Sequence, residues 1–123
     1  MGEIVSIHIA QMKAARHETA DNVARERMSA LRERRAAWGR TIRQRRVECG
    51  FTTRTLADAV GIATPTLVSA IESGRGRLPE GVLTGWALAL GMEPSDFAAG
   101  YLAAFEPDAF AALRQSHEEG RPA

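Results

Sequence analysis

Cysteine is almost missing from this chain of 123 residues: Cys49 stands alone. A single cysteine excludes an intramolecular disulfide and a cysteine-based metal site, and it fits a reducing cytoplasm. Cys49 is expected as a small buried apolar residue at the end of a helix. His8, His17 and His117 are too dispersed to form a ligand set, so neither metal nor cofactor is expected. No segment approaches the ~18 apolar residues that a bilayer span requires, so no membrane partner is expected. The opening MGEIVSIHIAQM lacks a basic leading region and is too short and polar for a signal peptide. Its match to the myristoylation pattern at Gly2 is loose enough to arise by chance. Enzyme signatures are missing too: there is no phosphate loop, no Ser/His/Asp or Cys/His arrangement with a recognisable local signature, and no paired-histidine motif. The chain is therefore expected not to be an enzyme. Few β-branched runs occur beyond the first ten residues, which predicts a mostly helical protein.

What is present is a charge asymmetry. The net charge of +1 conceals eleven basic against six acidic residues in 1–50, a balance of +5, and five against nine in 51–123, a balance of −4. Nine arginines fall between Arg25 and Arg46, with only Glu26 and Glu33 among them. Such a stripe is an electrostatic footprint for a polyanion or a solvated helix face.

Length allows one domain and a modest appendage. Residues 3–10, EIVSIHIA, alternate in the manner of a short strand, although they also suit the first turns of a long helix, since nothing interrupts residues 3–38. From about Asp21 to Cys49 the composition is strongly helical. Ala24, Met28, Leu31, Arg35, Trp38 and Ile42 recur at steps of four and three, which makes one seam with Arg35 as a flaw and Gly39 as a candidate bend. Trp38 and Ile42 would cover the core of the following domain. The alternative use of the seam is that its outer part, Ala24 to Leu31, packs against a second copy.

Gly50 closes that helix. Thr52 then caps a helix over Thr53–Val60, Gly61 supplies the positive φ of a turn, and Thr64 with Pro65 opens a second helix reaching about Ser73. Two helices with apolar faces at Leu56, Ala57, Val60 and at Val68, Ile71 form a helix-turn-helix. A loop SGRGRLP follows, and then helices over Pro79–Leu90, Pro94–Phe105 and a short one after Pro107. Trp86 is expected as core filling. Glu80, Asp96 and Asp108 are expected at helix starts, and the polar tail from Gln115 is expected to fray.

The stretch Ile42 to Phe97 resembles the phage-repressor and Cro type of helix-turn-helix domain, the XRE family. The resemblance rests on IRQRRVECGFTTRTLADAVGI, LVSAIESG and WALALGMEPSDF, with Arg46, Leu56-Ala57, Gly61, Ile71-Glu72, Gly74, Ala87, Leu90 and Gly91 in order. It implies an all-α, five-helix DNA-binding fold at 38–105, preceded by an arginine-rich extension at 1–37 as a candidate dimerisation element. A short helix and frayed tail at 106–123 would complete the chain. It also implies a salt bridge between Arg46 and Glu72 that ties two helices together. The chain departs from the family by one extra residue between Gly61 and Glu72. Cap chemistry places it in the turn around Ile62-Ala63, with Thr64 as N-cap and Val68 and Ile71 as the buried pair.

On that register the resemblance implies base contacts from Pro65, Thr66, Ser69 and Ala70 in a recognition helix of about 65–73. Phosphate contacts would come from Thr53, Arg54, Thr64, Arg75 and Arg77 with the amides of the SGRG loop. The reading face has no Gln, Asn, Arg or Lys for bidentate base contacts, so specificity is expected to be shared with DNA shape or with arginines outside the motif. The leading expectation is a dimeric, cytoplasmic, sequence-specific repressor of double-stranded DNA. The alternative is an antitoxin-type protein whose N-terminal segment grips a partner protein while the domain autoregulates its operon.

Overall fold

The computed structural model describes residues 2–61 and 64–119, and of residues 2–11, 13–17 and 117–119 it describes the backbone alone. Among the described residues there are six helices and no strand: α1 (Gly2–Glu48), α2 (Thr53–Val60), α3 (Pro65–Glu72), α4 (Leu83–Ala89), α5 (Pro94–Phe105) and α6 (Pro107–Glu119). The chain divides into two compact units, Met1–Leu31 and Arg32–Ala123.

The strand expected at residues 3–10 is not formed; those residues are the first turns of α1. A lone strand has nothing to pair with, whereas helix propagates through any segment free of proline and internal glycine once nucleated. In the first unit every described side chain from residue 18 to 30 is exposed, including Val23 at 42% and Met28 at 46%.

The second unit holds the core. Ile42 of α1, Leu56 and Ala57 of α2, Val68 and Ile71 of α3, Trp86 and Ala87 of α4, Leu90 just beyond it and Phe97 of α5 form one buried cluster. The inner seam residue Trp38 packs edge-on against Phe97, Tyr101 and Phe105, with ring centroids 5.4–5.7 Å apart. Seam and domain core are therefore continuous at Trp38 and Ile42. Arg35, the flaw in the seam, is accommodated by laying its guanidinium over the Phe105 ring at 5.1 Å.

Three helices end in the same way. The amides of Gly50 and Phe51 bond to the carbonyls of Val47 and Arg46, those of Gly74 and Arg75 to Ile71 and Ala70, and those of Gly91 and Met92 to Leu88 and Ala87. Each is a Schellman closure around a glycine of positive φ. Three expectations need correction here. α4 begins at Leu83 rather than Pro79, because Gly81 at φ 86° breaks any earlier start; Glu80 thus lies in a turn and not at a helix terminus. Cys49 is exposed, its Sγ 3.4 Å from the Leu90 carbonyl, because the chain is already turning at the surface there. Helix α6 continues through Gln115 to Glu119 instead of fraying from Gln115, and residues 120–123 lie outside the described residues.

Candidate nucleic-acid interface

Helix α2 is launched by a reciprocal cap. The Thr52 hydroxyl accepts from the Thr55 amide at 3.1 Å, and the Thr52 amide donates to the Thr55 hydroxyl at 2.8 Å. Gly61, at φ 86° and ψ 20°, closes α2 by donating to the carbonyls of Ala57 and Asp58. Ile62 and Ala63, where the extra residue was expected, lie outside the described residues. Helix α3 begins at Pro65 with Thr64 extended at the N-cap position, and Val68 and Ile71 are fully buried. Among the described residues the Thr64 hydroxyl makes no capping bond, so it remains available to a ligand.

Two devices fix α3 against α1, both at the C-terminal end of α3. The first is a buried fork. Arg46 Nε lies 3.1 and 3.0 Å from the two Glu72 carboxylate oxygens, and Arg46 Nη2 lies 2.9 Å from Oε1. Arg46 Nη1 also donates to the Phe51 carbonyl at 2.9 Å. Glu72 ends α3, where the helix dipole disfavours an anion, so the paired guanidinium neutralises an otherwise awkward charge. The second device is backbone contact. A Cβ at Gly39 would lie 2.2 Å from the Glu72 carbonyl oxygen, and one at Gly74 would lie 2.6 Å from the Ala36 nitrogen. Helix α1 runs unbroken through Gly39, and Gly39 is where it lets the end of α3 approach. Glycine inside an Ala/Arg-rich helix costs up to about 1 kcal/mol and so calls for a reason, but nothing near Gly39 in sequence names α3 as that reason.

Anchored at one end, α3 presents its other end. Thr66 and Ser69 are exposed, whereas Pro65 and Ala70 are half-buried. Ala70 is the most encumbered of the four: its carbonyl accepts from the amides of Arg75 and Gly76 at 2.9 Å, and a Cβ on Gly76 would stand 3.0 Å from the Ala70 Cβ. The amides of the SGRG loop are likewise consumed, since those of residues 73–76 all bond to α3 carbonyls. They cannot also serve phosphate, which corrects that expectation.

The residues expected at phosphates are not brought together as one set. Arg54 and Arg75 are exposed, Thr53 is half-buried at the start of α2, and Thr64 is exposed. Arg77 is drawn to the junction of α5 and α6. Its Nη1 bonds to Glu106 Oε1 at 2.6 Å and its guanidinium lies 5.7 Å from the Phe105 ring centroid. The hydrogen bond to Glu106 raises the Arg77 pKa above its ordinary value, with the Glu106 charge acting in the same direction.

The arginine stripe is thinned by the fold. Arg40 pairs with Glu33 at 3.0 Å, and Arg45 Nε donates to the Leu90 carbonyl at 2.7 Å. Arg35 and Arg46 are held as described. Arg43 is exposed and makes no ion pair among the described residues. It lines a cleft of about 270 Å³ with Arg46, Thr53, Ser69, Glu72 and Ser73. In sequence Arg43 is one arginine of the stripe, and nothing sets it apart, because Thr53, Ser69 and Glu72 reach this cleft from two other helices. Among the described residues no group of three or more His, Cys, Asp or Glu side chains suited to a metal ion is assembled.

A family model described as a helix-turn-helix domain, within the XRE-like group, matches residues 25–99. Comparison with curated proteins and with solved structures gave no match.

Proposed function

The chain belongs to the helix-turn-helix family, and from that premise we propose that it is a sequence-specific DNA-binding transcriptional regulator acting in the cytoplasm. The observation that carries this reading is the asymmetry of α3. Its C-terminal end is fixed by the Arg46–Glu72 fork and the Gly39 contact, while its N-terminal end, with Pro65 and Thr66, is left accessible. Helix-turn-helix proteins insert that end of the recognition helix among base edges in the major groove. Thr66 is the residue best suited to read there, through its hydroxyl and through methyl contact with thymine. Pro65 and the Thr64 hydroxyl, which makes no capping bond among the described residues, flank it. Arg54 and Arg75 supply sequence-independent attraction to phosphates.

One recognition helix covers only a few base pairs, so the regulator binds as a homodimer on two half-sites, as a repressor. It needs neither cofactor nor metal and catalyses no reaction. The test compares wild type and Thr66→Ala on a selected duplex and on its scrambled counterpart across a salt series. Loss on the selected duplex alone supports base reading by Thr66. Equal loss on both removes it.

A second reading draws on the exposed apolar residues Val23 and Met28 in the arginine-rich part of α1. In it this segment grips a partner protein, as an antitoxin does, while the domain binds the operator of its own operon. Protection of residues 1–31 from protease only when a neighbouring gene product is present supports that reading.

A further inference from the structure

We propose that the cleft lined by Arg43, Thr53 and Ser69 holds one backbone phosphate of the bound duplex, with Arg43 as its charge partner. The proposal rests on the DNA-binding reading above; a phosphate contact was already expected of Thr53, and what is new is Arg43 as the charge partner with Ser69 beside it.

Arg43 is the one arginine between Arg35 and Arg46 whose guanidinium takes no part in a hydrogen bond, ion pair or ring contact among the described residues. It therefore stands ready for a ligand. The cleft's other charges nearly cancel, because the Glu72 oxygens already accept from two N–H groups of Arg46, that of Nε shared between them. An incoming anion meets a neutralised carboxylate and the net positive charge of Arg43. Thr53 and Ser69 add hydroxyls, and neither is engaged in a hydrogen bond among the described residues. Ser73 is different, since its hydroxyl already donates to the Ala70 carbonyl at 2.9 Å.

Position favours phosphate over base. Base edges are met by the first turn of a recognition helix, at Pro65 and Thr66, whereas Ser69 lies a turn further on and shares its cleft with α1 and the start of α2. A group meeting all three helices at once is one that projects outward from the groove wall, as backbone phosphates do. Ser69, expected from the sequence among the base readers, is thereby moved to the positioning contacts, and direct reading narrows to the vicinity of Thr66.

The experiment measures binding of the full chain to a selected and a scrambled duplex by fluorescence anisotropy, from about 50 to 300 mM NaCl. Arg43→Gln should weaken both duplexes equally, by roughly three- to tenfold at low salt, as for an exposed charge-assisted contact. It should also reduce the slope of log K against log salt by about 0.9, the value for one phosphate. Arg43→Lys should restore most of that slope, and Ser69→Ala should weaken both duplexes alike without changing it. Arg43 is exposed, so the thermal melts of its variants should overlay wild type. An unchanged slope in Arg43→Gln, or a loss confined to the selected duplex, overturns the proposal while leaving DNA binding intact. Wild type that binds neither duplex defeats the underlying reading as well. Saturable binding of inorganic phosphate to wild type, with duplex affinity indifferent to Arg43, assigns the cleft to free phosphate and also overturns it.

Discussion

Replacing Gly39 by alanine sets two effects of opposite sign against each other. By propensity alone the change should help, because alanine in a helix interior is about 0.5–1 kcal/mol better than glycine. The packing says otherwise. The new Cβ would fall 2.2 Å from the Glu72 carbonyl oxygen, 2.6 Å from the Glu72 carbonyl carbon and 2.8 Å from the Ile71 carbonyl oxygen. All three are backbone atoms that no rotamer change can remove. To reach ordinary contact α1 and α3 must part by about 1 Å, and overpacking of this kind costs about 1–3 kcal/mol, at the upper end where backbone must move. Parting the helices also stretches the Arg46–Glu72 bonds, now 2.9–3.1 Å. The clash wins, and Gly39→Ala should destabilise by about 2 kcal/mol, lowering Tm by about 8–16 °C in a domain of this size. Gly85→Ala is the control: Gly85 sits inside α4, and beyond its own stretch of helix no described atom lies within 4 Å of an added Cβ, so the same substitution should stabilise by up to about 1 kcal/mol. Urea unfolding followed by circular dichroism measures both. If Gly39→Ala stabilises as Gly85→Ala does, the backbone contact between α1 and α3 is wrong.

Other consequences follow from the same contacts. Glu72→Gln leaves Arg46 charged and 91% buried without its carboxylate, so it should cost about 3 kcal/mol, whereas a double replacement by apolar residues of similar volume should recover much of the loss; a double-mutant cycle in urea reads the difference. Arg77→Ala should change stability by less than about 1 kcal/mol, because its ion pair with Glu106 is half exposed, and should leave the salt slope of DNA binding unaltered. Because the Arg77 pKa is raised, its stabilisation is complete below the unfolded-state value and fades only as pH climbs past it, so the stability gap between wild type and Arg77→Ala should stay constant from about pH 7 to 10 in urea titrations.

Much of this architecture was legible in the sequence because it is written in local chemistry. Thr52, Gly61, Pro65 and Gly74 announce helix ends through caps and positive φ, and the boundaries of α2 and the start of α3 coincide with them. The pairing of Arg46 with Glu72 came from the family resemblance rather than from local pattern. What was not legible depends on contacts between distant residues. The close approach of the end of α3 to Gly39 is not written in the residues around it. Arg77 looks free until Glu106 is brought within reach by the turn into α6. Nothing near Arg43 in sequence marks it off from Arg45, yet one lines an open cleft and the other serves the carbonyl of Leu90. Of the two readings of residues 3–10 the helical one holds, because period two over so short a run carries little weight against a helix continuing from Gly2 to Glu48.

The central claim is that α3 docks this chain on particular DNA sequences. It is tested most directly by selecting bound duplexes from a random pool with the full-length protein. A reader built as described here should enrich one short motif, repeated at a spacing of about one helical turn or a multiple of it for a dimer. The enrichment should be lost in Thr66→Ala and kept, at uniformly lower affinity, in Arg43→Gln. A pool that emerges without any enriched motif, while the protein still binds DNA, would contradict the account.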